Sequence, residues 1–251
     1  MFQLYQKTHQ SHGVMYINII ELEEFLINNP QFSLAPSNNK EYIIQGVLFL
    51  DVCDDLYGNI KDKFLIRIVI PKSFPNEIPT VYELGERFPK TIDFHTFSDL
   101  SLCLGSPLSL KKRVKENPTI NGFITSCVVP YFYAISLKLQ RDINFVFGEL
   151  HHGIDGIVQD YLEVFGLKYI NQAIHLLEIL SQKTNRGNKK ECPCGCNRIV
   201  TKCSLHKKII EYRGVMTRKE FAMDKEMISI TFNKWKKSQV ENRIKKILSH
   251  V

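Results

Sequence analysis

The chain has 251 residues, 44% of them hydrophobic and 24% charged, and a formal net charge of +7. That length holds one medium domain plus a smaller appendage, and the composition is that of a globular protein. The longest apolar runs, such as Val47–Leu50 and Ile66–Pro71, are too short to cross a bilayer, and the N-terminus lacks a basic, apolar, small-residue succession. Neither a membrane span nor a signal peptide is expected.

Seven cysteines, an odd number with four of them inside residues 192–203, argue against a secreted disulfide framework and for a reducing cytoplasm. The excess charge is local. Residues 1–206 hold 21 Lys/Arg against 21 Asp/Glu, whereas 207–251 hold 12 against 5. Such a tail is either a solvated helix face or a surface for an acidic partner or nucleic acid.

In chain order, Ile17–Asn29 comes first. It sets Ile19, Ile20, Leu22, Phe25, Leu26 and Ile27 mostly on one helical stripe, with Glu21, Glu23 and Glu24 off it, and Asn28-Asn29-Pro30 ends it. Three extended segments follow. Tyr42–Val52 is rich in β-branched and aromatic residues, Phe64–Ile70 reads as a strand covered on both faces, and Thr80–Leu84 is short. Asp54-Asp55-Leu56-Tyr57-Gly58-Asn59 is a turn by composition. A helix followed by an antiparallel meander of three or four strands opens an α+β domain.

Beyond an irregular loop around Cys103, Asn117-Pro118 fits a helix start. Ile120–Leu139 reads as a core helix that Pro130 breaks or kinks. His151–Gly156 is a turn, and Ile157–Phe165 and Tyr169–Leu180 are amphipathic helices separated by a stop at Gly166. The polar run 183–190 is expected to be a linker. It would divide a domain at 1–182 from a module at 191–251, made of a cysteine cluster and one or two basic helices.

An acyl-carrier cysteine needs exposure on a loop, an accessible thiolate and backbone donors for a developing oxyanion. Asp99–Gly105 supplies a loop for Cys103, Lys111-Lys112-Arg113 puts positive charge within a few residues, and His95 can lower the thiol pKa or orient the loop. The order helix, meander, Phe-Pro-x-x-x-Pro, strand, His-x7-Cys-Leu, helices resembles the ubiquitin-conjugating enzyme fold. Pro71, Phe74, Pro75 and Pro79 match that family's proline element, and Leu102-Cys103-Leu104 matches its cysteine element.

The match is not complete. Thr96-Phe97 stand where the family's pattern has Pro-Asn, so no oxyanion-stabilising asparagine is assigned, and the spacing from His95 to Cys103 is shorter than in that pattern. The departures resemble divergent bacterial members of antiphage operons, including those built around an oligonucleotide cyclase. The resemblance implies a thioester at Cys103 and transfer of a protein C-terminus to an amine. It also implies a separate activating enzyme and a ubiquitin-like or cyclase-type protein substrate. A non-catalytic member of the fold, working as a scaffold, is the alternative. His151 and His152, with Asp155, form a further candidate set that can either deprotonate an incoming amine or only cap the next helix.

Cys192, Cys194, Cys196, Cys203 and His206 place five soft or borderline ligands in a short segment, which points to a structural zinc ion. The Cys-x-Cys-x8-Cys spacing resembles the bacterial SEC-C zinc motif, whose first three ligands fall on Cys192, Cys194 and Cys203. His206 or Cys196 must supply the fourth, and His206 is preferred. SEC-C elements are associated with docking onto proteins, so this resemblance implies a recognition module. No His-Glu-x-x-His pattern is present, which leaves a metal-dependent hydrolase without its usual open site.

Overall fold

The computed structural model describes residues 19–143 and 153–248. These form two compact units. The first contains 19–103 and 114–143, and the second contains 104–113 and 153–248.

In the first unit, helix α1 (Ile19–Asn28) precedes a meander of β1 (Phe32–Ala35), β2 (Glu41–Asp54), β3 (Gly58–Pro71) and β4 (Thr80–Glu83). The four strands pair antiparallel in chain order. The fold is therefore mixed α+β. The short β1 escapes the pattern reading because four residues carry too little alternation. It pairs Phe32 with Gly46 of β2, where a Cβ would lie 2.3 Å from the Gln31 carbonyl oxygen, so only glycine lets the two backbones approach.

Along β3, Ile60, Phe64, Ile66, Ile68 and Ile70 are buried, while Leu65 is exposed and Arg67 and Val69 are half-buried. The strand is thus covered on one face, not both. Its alternation hides in the sequence because the outer positions are also partly apolar. Each buried side chain of this size contributes about 1.5–3 kcal/mol.

The covering element is a continuous helical stretch, α3 (Ile120–Phe123), a π-helical turn at Ile124–Val128, and α4 (Val129–Arg141). Thr119 caps it by accepting the Gly122 N–H at 2.9 Å, and Glu21 of α1 accepts the Ile120 N–H at 2.8 Å. Pro130 neither breaks nor sharply ends this stretch. The wide turn just before it, where Val129 N–H bonds the Ile124 carbonyl, absorbs the missing donor and the ring. Phe132 meets Phe64 with ring centroids 4.5 Å apart. By length and composition alone Ile120–Arg141 could cross a membrane, but 72% of its apolar window is buried in the protein.

The second unit is helical. It holds most of α2 (Pro107–Glu116), to which the sequence reading assigns no element, since only Leu108 and Val114 of its ten residues are buried apolar side chains. It also holds α5 (Ile154–Phe165), α6 (Ile170–Leu180), α7 (Thr184–Gly187), α8 (Leu205–Arg213) and α9 (Arg218–Leu248). Gly166 ends α5 in the left-handed region at φ 64°, as its position predicts.

The expected linker at 183–190 is α7 and its flanks, and the units do not divide there. Gly187 is buried, with the Arg213 guanidinium and the Ile179 carbonyl where a Cβ would lie, so the run packs despite its polarity. Tyr161, Leu176, Leu177, Leu180, Phe221 and Ile228 form the centre of this unit's core.

Candidate thiol site and metal centre

Cys103 closes a small hairpin of the first unit. After β4 the chain makes a 3-10 turn at Ile92–Phe94 and reverses at His95, which takes the left-handed conformation at φ 48°. Thr96 and Leu102 then bridge antiparallel. Cys103 N–H donates to the His95 carbonyl at 2.7 Å, and Phe97 N–H donates to the Ser101 carbonyl at 2.8 Å. Leu102 N–H donates to the Val81 carbonyl at 2.8 Å, which suspends the hairpin from β4.

Asp99 shapes the tip by accepting from the Ser101 hydroxyl at 2.6 Å and the Ser101 N–H at 3.0 Å, and these donors hold its carboxyl below the usual range. From α4, Tyr131 donates its hydroxyl to the Phe94 carbonyl at 2.7 Å, and the Lys138 ammonium donates to the Asp93 carbonyl at 2.9 Å. Burial pushes the Tyr131 hydroxyl far up, and a charge on Cys103 or Glu83 raises it further, so it stays a donor to the Phe94 carbonyl. Glu83, fully buried at the end of β4, is paired with Lys90.

The structure thus places His95 and Cys103 across one pair of backbones, with both side chains half-buried. Lys111 and Lys112, expected to lend charge to the thiol, are instead engaged within the second unit, with Glu220 and with Glu211 respectively. His151 and His152 lie outside the described residues. Tyr131 is the residue that sequence reading misses. Nothing in its position inside a core-helix pattern signals that its hydroxyl holds the histidine turn.

In the second unit, the sulfurs of Cys192, Cys194, Cys196 and Cys203 lie within 4.8 Å of one another. The Sγ atoms of Cys192 and Cys194 are 3.3 Å apart, and those of Cys194 and Cys203 are 3.6 Å apart. A metal bound tetrahedrally by thiolates at about 2.3 Å sets its ligands about 3.8 Å apart, so these four sulfurs fit and can hold a metal ion compatible with zinc. The knuckle is made by local backbone bonds. Cys192 N–H donates to the Arg198 carbonyl at 2.7 Å, Glu191 bridges Ile199, and Gly195 turns the chain at φ 81° so that Cys196 returns to the cluster.

The structure thus brings Cys196, and not the preferred His206, together with the other three cysteines. His206 sits in the first turn of α8 with its ring against the Asn188 amide at 3.2 Å, while that turn's Leu205 N–H donates to Cys203 Sγ at 3.4 Å. The pair Gly195 and Asn197, both at positive φ, is the sequence signal that could have chosen Cys196. Electrostatics divide the set. Burial pushes the Cys192 and Cys194 thiols up, the Arg198 side chain brings Cys196 down to about 6, and the Leu205 N–H lowers Cys203.

No protein-family model matches the chain, and no curated protein matches its sequence.

Proposed function

We propose that the chain is a ubiquitin-conjugating-enzyme-like acyl carrier with its nucleophile at Cys103. The supporting observation is the hairpin itself: a half-buried cysteine after a four-stranded meander, its N–H tied to the His95 carbonyl. In this reading the Cys103 thiolate attacks an activated protein C-terminus on a separate activating enzyme. A thioester bond to Cys103 forms, and the donor's thiol leaves. An acceptor amine then attacks the same carbonyl carbon, the amide forms, and the Cys103 thiolate departs while a base takes the amine proton. His95 orients the loop, and Tyr131 holds the turn that carries His95. The protein substrate is ubiquitin-like or cyclase-type, and the setting is a bacterial antiphage or ubiquitin-like conjugation system in the cytoplasm.

Zinc held by Cys192, Cys194, Cys196 and Cys203 would serve a structural role, since four protein ligands leave no position for a reacting water. That centre favours a second reading, in which the fold is a non-catalytic scaffold holding a partner through the metal module and basic tail.

A Cys103→Ser variant separates the two. An acyl carrier turns the labile thioester into an oxyester that survives reducing conditions. A serine variant that carries no adduct, beside a wild type that carries none either when supplied with its activating enzyme and modifier, rejects the carrier reading.

A further inference from the structure

Helix α9 is 31 residues long and changes character along its length. Phe221 and Ile228 are fully buried in the core of the second unit. The same helical face continues as Phe232 and Trp235, at steps of four and three residues, but Trp235 is 55% exposed. Their rings stack with centroids 6.0 Å apart and an interplanar angle of 9°, and the Lys236 ammonium lies over the Phe232 ring at 4.4 Å. Lys234, Lys236 and Lys237 are exposed beside them. Over residues 230–248 the sequence holds six Lys/Arg against one Asp/Glu.

We propose that this distal part of α9 binds single-stranded nucleic acid, with a base stacked on Trp235 and the lysines neutralising its phosphates. The charge names a polyanion, because a second copy of so basic a helix would repel the first. A helix that docks in a protein groove or lies on a membrane keeps one apolar face. Here the exposed Met223 and Ile230 lie on the opposite side from Phe232 and Trp235, and the lysines occupy positions around the helix. What remains is a flat aromatic surface in a dense positive field, the combination that captures unpaired bases without sequence preference. The proposal holds whether or not Cys103 carries an acyl group.

Trp235 is the chain's only tryptophan, so its fluorescence reports the contact directly. Fluorescein-labelled oligo(dT) and oligo(U), about 20 nucleotides long, would be titrated into the full chain by anisotropy, with tryptophan emission followed in parallel. The expected result is binding of one or both, with quenching, which also tells DNA from RNA preference. Raising NaCl from about 50 to about 200 mM weakens it about tenfold or more, and Trp235→Ala weakens it about tenfold while leaving metal content and circular dichroism unchanged.

Polyglutamate and phosphatidylserine vesicles are the competing probes. Either one binding as tightly as the oligonucleotides, or oligonucleotide binding that ignores Trp235→Ala, would overturn the proposal. So would an absence of oligonucleotide binding at low salt.

Discussion

Cys103 and His95 are joined by a backbone hydrogen bond, 2.7 Å from the Cys103 nitrogen to the His95 carbonyl oxygen. The bond fixes the height of the cysteine on the hairpin, and the carbonyl is aimed correctly only because His95 adopts φ 48°. A side chain at this φ costs about 1–2 kcal/mol relative to the ordinary helical region, a cost that glycine does not carry.

Backbone and side-chain roles of His95 can therefore be separated. His95→Gly keeps the turn and retains stability within about 1 kcal/mol in chemical denaturation, whereas His95→Val loses about 2 kcal/mol because a β-branched residue fits this region poorly. If the imidazole itself works on the thiol, His95→Gly slows Cys103 modification by a neutral alkylating agent despite its intact fold.

The metal centre gives a prediction that reverses the sequence preference for His206. Cys196→Ser lowers the metal bound per chain and the melting temperature, and His206→Ala leaves the metal content unchanged. Elemental analysis of the purified variants decides it. Because thiols must lose their protons to bind, metal retention falls as pH is lowered, and a chelator strips the site faster in acid than at neutral pH.

Asp160 is buried and accepts the hydroxyls of both Ser106 and Ser109, the latter at 2.8 Å, which fastens the start of α2 to α5 within the second unit. Asp160→Ala strands those two donors and is expected to cost about 3 kcal/mol. Asp160→Asn keeps one acceptor and costs about half as much. Urea unfolding of the two variants measures the difference.

Glu220 sets an acid limit on the second unit. Burial opposes its ionisation, but the Lys111 ammonium and the N–H and hydroxyl of Thr217 outweigh burial, so its carboxyl titrates below the usual range. A carboxyl depressed in the folded state contributes stability above its unfolded value, and the contribution is lost as pH falls through the folded one. The stability of wild type should therefore drop below about pH 4.5 more steeply than that of Lys111→Met, as urea midpoints across pH 3 to 7 would show.

How much of this was legible in the sequence differs by element. β2 and β3 declare themselves through β-branched runs joined by an Asp54–Asn59 turn, and α6 through its amphipathic period. β1 and α2 do not, since their apolar positions are too few to set a period and tertiary packing decides them. The π turn before Pro130 is invisible because a proline reads as a break, whereas a widened turn inside a buried helix accommodates it. At the candidate metal site, residue types sufficed to single out the cysteine cluster. Choosing between Cys196 and His206 turned on reading Gly195 and Asn197 as a left-handed turn that returns Cys196 to the cluster, which ligand spacing alone does not show.

The thioester is the central claim, and intact mass under non-reducing conditions tests it most directly. Wild type and Cys103→Ala would each be co-expressed with the genes that neighbour its own. The account predicts a protein-sized adduct on wild type that hydroxylamine or a thiol removes and that Cys103→Ala lacks. An adduct that persists on Cys103→Ala, or a wild type that stays at its bare mass while the modifier and activating enzyme are both present and folded, would contradict it.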